Sequence, residues 1–436
     1  MANKRRPKKA KAPYRKYVAG VGFVLTRGFT NSPATTDEEG LEEVEVINTP
    51  QGMYYYNTKT DSVVHMKNVE PKRRASNTSA NDISPASVQT MTFPVEIFEL
   101  ILRYAEKIEP QFLQVCESWY RICIPLLYHT PKLGSKNFHS FVDTLISNRK
   151  KKFGEHVVNL NLSMIIQSGK NSFVSKLLRR CSPRLESFTA PQTSFGYAPL
   201  ISLKSCHKLK CLDLGLVSET VQLRELFLAI KNFKQLTHLS FPRSSVECEG
   251  FREFQWPPNL RYLKLSGGIT NEFVSETIFP RTITTLEFSF CPKINEHAVY
   301  TVLSKIGDNL QTLYFHYPMP ALHENSLDYV FRYCSNLKTI QLMVDYCSKW
   351  VFSENLLTPL IYPRPLRTIL LECSGSLGQA FKVHPDDLTI AVVEGRLPCL
   401  KTIRVSSRLG WDMNGNDVGD LVSCLEDQDG GVYLSY

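Results

Sequence analysis

The chain has 436 residues, 43% of them hydrophobic and 21% charged, with a net charge of +9. That length leaves room for two or three domains, and the composition is that of a globular protein rather than a fibrous or disordered one. No apolar run approaches the roughly 20 residues a membrane helix needs, and no apolar core follows the basic N-terminus. Neither a membrane span nor a secretory signal is therefore expected, and the expected location is nuclear, cytoplasmic or both, with reduced thiols.

Residues 1–90 read as a mostly flexible extension of alternating charge. Lys4, Arg5, Arg6, Lys8, Lys9, Lys11, Arg15 and Lys16 put +8 into the first 16 residues, leaving +1 for the rest. Such a run suits a nuclear-import signal, carried by Lys4, Arg5, Arg6, Lys8, Lys9 and Lys11. The near-neutral remainder argues against extensive nucleic-acid contact. An acidic stretch follows from Asp37 to Glu45, and then Tyr54, Tyr55 and Tyr56, a polar turn, and Val63-Val64 predict a hairpin over 50–66. This hairpin resembles the second half of a WW domain, but His65 stands where that family carries its proline-gripping tryptophan. Residues 75–90, rich in Ser, Asn, Thr and Ala, read as a linker.

Residues 91–133 are different in kind. Pro94 suits the first turn of a helix and Glu96 its positive end. Ile97, Leu100, Ile101 and Tyr104 then recur at i, i+3, i+4 and i+7, which makes one apolar face. Pro110 opens a short second helix with Phe112, Val115 and Cys116. A third follows through Trp119, Ile122, Cys123, Leu126 and Leu127, its length limited by Pro125. Phe93-Pro94-Val95-Glu96-Ile97, Val115-Cys116-Glu117-Ser118-Trp119 and Pro125-Leu126-Leu127-Tyr128 together resemble the F-box. The resemblance implies a three-helix unit that binds a Skp-type adaptor and, through it, cullin and ring subunits. By that resemblance the adaptor-binding residues are Phe93, Pro94, Val95, Glu96, Ile97, Leu100, Ile101, Val115, Cys116, Trp119, Leu126 and Leu127. Residues 134–156 are expected to be a rigid helical linker.

From 157 to 409 the pattern hxxhxh (h apolar) occurs ten times, starting at Val157, Leu185, Leu209, Leu236, Leu260, Ile283, Leu310, Leu337, Leu366 and Leu400. Most intervals fall in the roughly 20–29 residues of a leucine-rich repeat. One face of each short strand is buried and the return runs along the convex side, so no repeat stands without its neighbours. Cys181, Cys206, Cys291 and Cys334 sit at fixed places beside these motifs, as in the cysteine-containing subclass of such repeats that often accompanies an F-box. The 12 cysteines form no CxxC pair, and they read as small buried hydrophobes rather than metal ligands.

The expected fold is thus α/β: a three-helix F-box followed by a leucine-rich-repeat solenoid with parallel strands on its concave side and helices on its convex side. The third, fifth and seventh motif positions should face the concave side. Among them His238, Tyr262, Lys264, Tyr314, His316, Met343 and Arg404 are the candidate substrate-binding residues, because aromatic and long polar side chains concentrate binding energy. Residues 410–436 read as a C-terminal cap or tail. Asp412–Asp417 begins like an EF-hand loop, but Asp417 and Ser423 replace the required glycine and glutamate, so no calcium is expected. No GxSxG, P-loop or HExxH occurs, so neither catalysis nor a cofactor is expected. The implied role is that of the substrate-recognition subunit of a Skp–cullin–F-box ubiquitin ligase. The rival readings are a repeat scaffold working outside a ligase and a nucleic-acid-associated protein using its basic tail.

Overall fold

The computed structural model describes residues 14–18, 22–26, 44–49, 52–57, 62–65, 94–105, 108–147, 152–166, 171–246, 251–375 and 381–435, the segments before 94 as backbone only. The chain divides into two units, Met1–Thr90 and Met91–Tyr436. In the first, β1 (Tyr14–Val18) pairs antiparallel with β2 (Gly22–Thr26). A second antiparallel sheet joins β3 (Val44–Thr49), β4 (Gly52–Asn57) and β5 (Ser62–His65). The β4–β5 hairpin lies where the tyrosine run and Val63-Val64 suggest it, with β3 as an added strand. The import residues Lys4 to Lys11 lie outside the described residues.

The second unit opens with α1 (Val95–Tyr104), whose N-cap is Pro94. A 3₁₀ turn at Pro110–Gln114 leads into α2 (Glu117–His129), and α3 (Phe138–Ser147) follows. Pro125 lies inside α2 and does not end it: the helix continues for another turn to His129. A proline removes one backbone donor, and the helix tolerates that loss here because packing of Cys123 and Ile124 into the core holds it in place.

Each of the ten motifs becomes a strand beginning two residues after its start. The strands are β6 (Asn159–Asn161), β7 (Ser187–Thr189), β8 (Cys211–Asp213), β10 (His238–Ser240), β12 (Tyr262–Leu265), β13 (Thr285–Ser289), β14 (Thr312–His316), β15 (Thr339–Met343), β16 (Thr368–Glu372) and β17 (Thr402–Ser406). A two-strand pair, β9 (Val221–Gln222) with β11 (Ser245–Val246), sits apart from them. The convex side carries α4 (Asn171–Cys181), α5 (Tyr197–Leu203), α6 (Leu223–Ile230), α7 (Asn271–Glu276), α8 (Glu296–Ile306), α9 (Val330–Tyr333) and α10 (Pro385–Val393). Then α11 (Asn416–Glu426) and β18 (Gly431–Ser435) add one more turn of solenoid, because β18 pairs in parallel with β17. The result is one 11-stranded parallel sheet, β6-β7-β8-β10-β12-β13-β14-β15-β16-β17-β18.

The apolar motif positions form the core. Leu209, Leu212 and Leu214, and Ile283, Leu286 and Phe288, are all fully buried, as are their counterparts along the sheet. Cys181, Cys206, Cys291 and Cys334 are buried with them. Burial pushes the Cys206 thiol up to about 11 and the Cys291 thiol up to about 12, so both are neutral packing groups. Thr285, Thr312, Thr339, Thr368 and Thr402 lie side by side in register, one β-branched column down the sheet. Among the described residues no helix is long and apolar enough to cross a membrane.

Candidate functional site

Two surfaces stand out. The first is the outer face of α1. Pro94 sits one residue before the first turn expected for it, as the N-cap with an extended ψ of 141°, and its carbonyl accepts from Phe98 N at 3.1 Å. Phe98 and Leu102, four residues apart, turn inward. The Phe98 ring lies 4.6 Å from Trp119, and Phe112 meets the same indole edge-on at 5.5 Å. The periodic apolar face points the other way: Ile97 is 46%, Leu100 53%, Ile101 51% and Tyr104 83% exposed. Val95, Val115 and Cys116 are exposed beside them, as are Pro94 and Glu96. Trp119 is half-buried in the small aromatic core. Leu126 and Leu127 are half-buried too, and they line a cleft of about 830 Å³ with Leu102, Ile108 and Pro110. Phe93 lies outside the described residues.

This unit is fixed to the solenoid at the end of α2. Tyr128 stacks on Phe153 at 5.1 Å and on Phe141 at 6.1 Å. Val158 N donates to His129 O at 3.0 Å, and Asn159 Nδ2 donates to Thr130 Oγ1 at 3.1 Å.

The second surface is the middle of the concave sheet. The fifth motif positions form one row across the strands, running Asp213, Ser240, Lys264, Glu287, Tyr314, Gln341, Leu370, Arg404 and Tyr433. Glu287 is its hub, although the sequence reading passed over it. Its carboxylate takes Lys264 Nζ at 2.5 Å, His316 Nε2 at 3.1 Å and the Tyr262 hydroxyl. Burial alone would raise the Glu287 carboxyl, but the hydrogen bonds from His316, Lys264 and Tyr262 outweigh it and hold it at about 2. Burial and the bond to Glu287 push the Tyr262 phenol up, so it remains a donor.

The imidazole of His316 is oriented from both sides. Gln341 Nε2 donates to Phe315 O at 3.0 Å and lies 3.1 Å from His316 Nδ1. A carbonyl needs a donor, so the amide is fixed, and Nδ1 must accept while Nε2–H donates to Glu287. His238 stacks on Tyr262 at 5.6 Å. Burial, then the nearby Arg261 charge, lowers its pKa. Tyr314 is half-buried at this hub, and Arg404 is exposed two strands beyond Gln341. Met343 does not belong to the surface: it is only 3% exposed. The chain turns from it into a buried 3₁₀ segment, Val344–Tyr346, and a flexible thioether fills such an irregular gap well.

One group of metal-ligand type occurs among the described residues, His384, Asp386 and Asp417. Its imidazole Nδ1 already accepts from Asp386 N as the cap of α10, and both carboxylates are exposed. Helix capping accounts for the arrangement. The EF-hand-like residues contribute only Asp417 to it.

No family model matches the chain. Among curated proteins it is 56% identical to the F-box protein YDR306C of Saccharomyces cerevisiae, over an alignment of 480 residues covering all of both chains. The chain belongs to the F-box proteins. A second relative of this F-box protein, Protein pof5 of Schizosaccharomyces pombe, is 34% identical over 79% of this chain and 99% of its own length. Among solved structures, the yeast Rad7–Elc1 complex matches at 12% identity, 71% of this chain and 91% of the other, with a TM-score of 0.34. The leucine-rich-repeat protein LegL7 of Legionella pneumophila matches at 12% identity, 70% and 88% coverage, and a TM-score of 0.35.

Proposed function

We propose that this F-box repeat protein is the substrate-recognition subunit of a Skp–cullin–F-box ubiquitin ligase. The observation that carries the reading is the open apolar face of α1. Ile97, Leu100, Ile101 and Tyr104 stand out to water beside an aromatic core already satisfied by Phe98, Phe112 and Trp119. A contiguous exposed apolar face on a short helical unit marks a protein-binding site. A Skp-type adaptor covers it in this reading, with Pro94, Val95, Glu96, Val115 and Cys116 at its rim and Leu126 and Leu127 in the adjoining cleft. The concave patch of His238, Tyr262, Lys264, Tyr314, His316 and Arg404 holds the substrate. Catalysis then lies with the ring subunit and its conjugating enzyme, and this chain contributes proximity by raising the effective concentration of substrate lysines. Lys4 to Lys11 direct the protein to the nucleus.

The test is co-purification of the full chain carrying Ile97→Ala and Leu100→Ala. Adaptor and cullin should accompany the wild type and be lost from the variant, while the thermal melt of the repeats is unchanged. Adaptor capture by the variant would refute the assigned face. Capture of the adaptor without cullin by the wild type would instead support a scaffold acting outside a ligase.

A further inference from the structure

The near-neutral sum of the chain body conceals a strongly uneven distribution of charge. Residues 131–210 contain fourteen lysines and arginines against three acids, Asp143, Glu155 and Glu186, a net of +11. With +8 in the first 16 residues and +9 in total, everything else sums to −10. The whole excess of the folded body therefore lies in the linker and the first repeats.

Among the described residues, six of these cations line three concavities. Lys176, Arg179 and Arg180 of α4 surround a concavity of about 330 Å³ floored by Ile146. An adjoining concavity of about 110 Å³ shares Arg179 and Arg180 and adds Lys152. Gly154 makes this approach possible, since a Cβ there would lie 2.7 Å from the Arg180 carbonyl oxygen. The charge continues round to the entry edge of the strands, where Arg184 and Lys208 border a third concavity of about 270 Å³. Two of the three acids are already matched, Glu155 by Lys152 at 3.1 Å and Glu186 by Lys210 at 2.7 Å. Lys176, Arg180, Arg184, Lys204 and Lys208 have no carboxylate partner among the described residues. Massing like charge in this way costs stability unless an anion shares the surface.

We propose that this basic tract binds the phosphodiester backbone of a nucleic acid. The cations form a long strip over a convex face and an edge, which fits a chain of evenly spaced phosphates better than a compact anion. Three of them are arginines, whose planar forks match phosphate oxygens. Exposed Tyr197 opens α5, the helix packed against α4, and offers a ring on which a base can stack. The tract meets the adaptor-side cleft at Arg184, which lines it with Leu126 and Leu127. The substitutions below leave Arg184 unchanged, so the proposal is tested apart from the ligase reading.

The test uses the full chain with the lysines and arginines of residues 1–16 changed to serine, so that the tail contributes nothing. Anisotropy of a short labelled single-stranded RNA and of a duplex DNA is followed as salt rises. Binding should persist, with log affinity falling by about 0.7 per phosphate contacted for the single strand and about 0.9 for the duplex for each decade of salt. Lys176→Glu with Arg180→Glu should weaken it by about tenfold or more at low salt and flatten that slope. Lys204→Glu with Lys208→Glu repeats the test at the strand edge should the first variant melt early. The proposal fails if the tail-neutralised chain binds neither probe, or if both variants bind like their parent. It fails equally if poly-glutamate of matched charge displaces the RNA as well as RNA itself does, which would assign the tract to an acidic protein.

Discussion

Glu287 illustrates how a buried charge is kept in a repeat sheet. It lies between β12, which brings it Lys264 at the same level and the Tyr262 hydroxyl from two residues earlier, and β14, which brings it His316 from two residues further on. Glu287→Gln leaves the Lys264 cation without its counter-charge and should destabilise the fold by about 2–3 kcal/mol at neutral pH. The pH dependence has a definite sign. The folded pKa, about 2, lies below the roughly 4.3 of a glutamate in an unfolded chain. A depressed folded value adds stability that is complete above the unfolded value and is lost as pH falls through the folded one. Glu287 should therefore give up on the order of 3 kcal/mol between about pH 4.3 and pH 2. Urea denaturation of both proteins across that window should show their difference narrowing as pH falls. A constant difference would mean that the hub is not ionised as described.

A single strand of this sheet is held by what its neighbours bury. Phe288 of β13 is fully buried and stacks on Phe315 of β14, with centroids 5.3 Å apart and planes 2° from parallel. Phe288→Ala should cost about 3–5 kcal/mol, read as a lower urea midpoint at unchanged slope. The strands were legible in the sequence because every start and every inward position is apolar and nothing else satisfies that spacing. The apolar stripe of α1 was legible too, but its direction was not. A 3.6-residue period marks a face without saying whether protein or water lies beyond it, and here Phe98 and Leu102 make the inner contact instead. Glu287 is not legible as a hub in the sequence because its partners come from the two flanking strands, β12 and β14, and only the register of β12, β13 and β14 brings them together. A base and an acid at the same motif position in consecutive repeats was the signal available. Alternation points Met343 outward, and alternation stops holding where the strand ends in a buried turn. Pro125 reads as a helix end from its missing donor alone, and the packing of Cys123 and Ile124 outweighs that loss.

At the scale of the molecule, α2 couples the two surfaces. The Tyr128 ring between Phe141 and Phe153 and the His129–Val158 backbone bond leave little freedom between the α1 face and β6. Tyr128→Ala should loosen that joint. In a reconstituted ligase, adaptor and substrate affinities should then stay within about twofold while the ubiquitination rate falls several-fold, because proximity is lost rather than binding. An unchanged rate would show that the joint need not be stiff.

The same joint makes the ends of the sheet unequal. β6 is fastened at its entry to α2, whereas β18 is the terminal strand of the order and carries half-exposed Tyr433 and Leu434. In a stack whose stability is nearest-neighbour, opening starts where a unit has one neighbour instead of two. The solenoid therefore has a hard end and a soft end. It should come apart as a zip does, from Ser435 back toward Asn159, so a protease or an unfolding machine would find its first hold at the end farthest from the F-box.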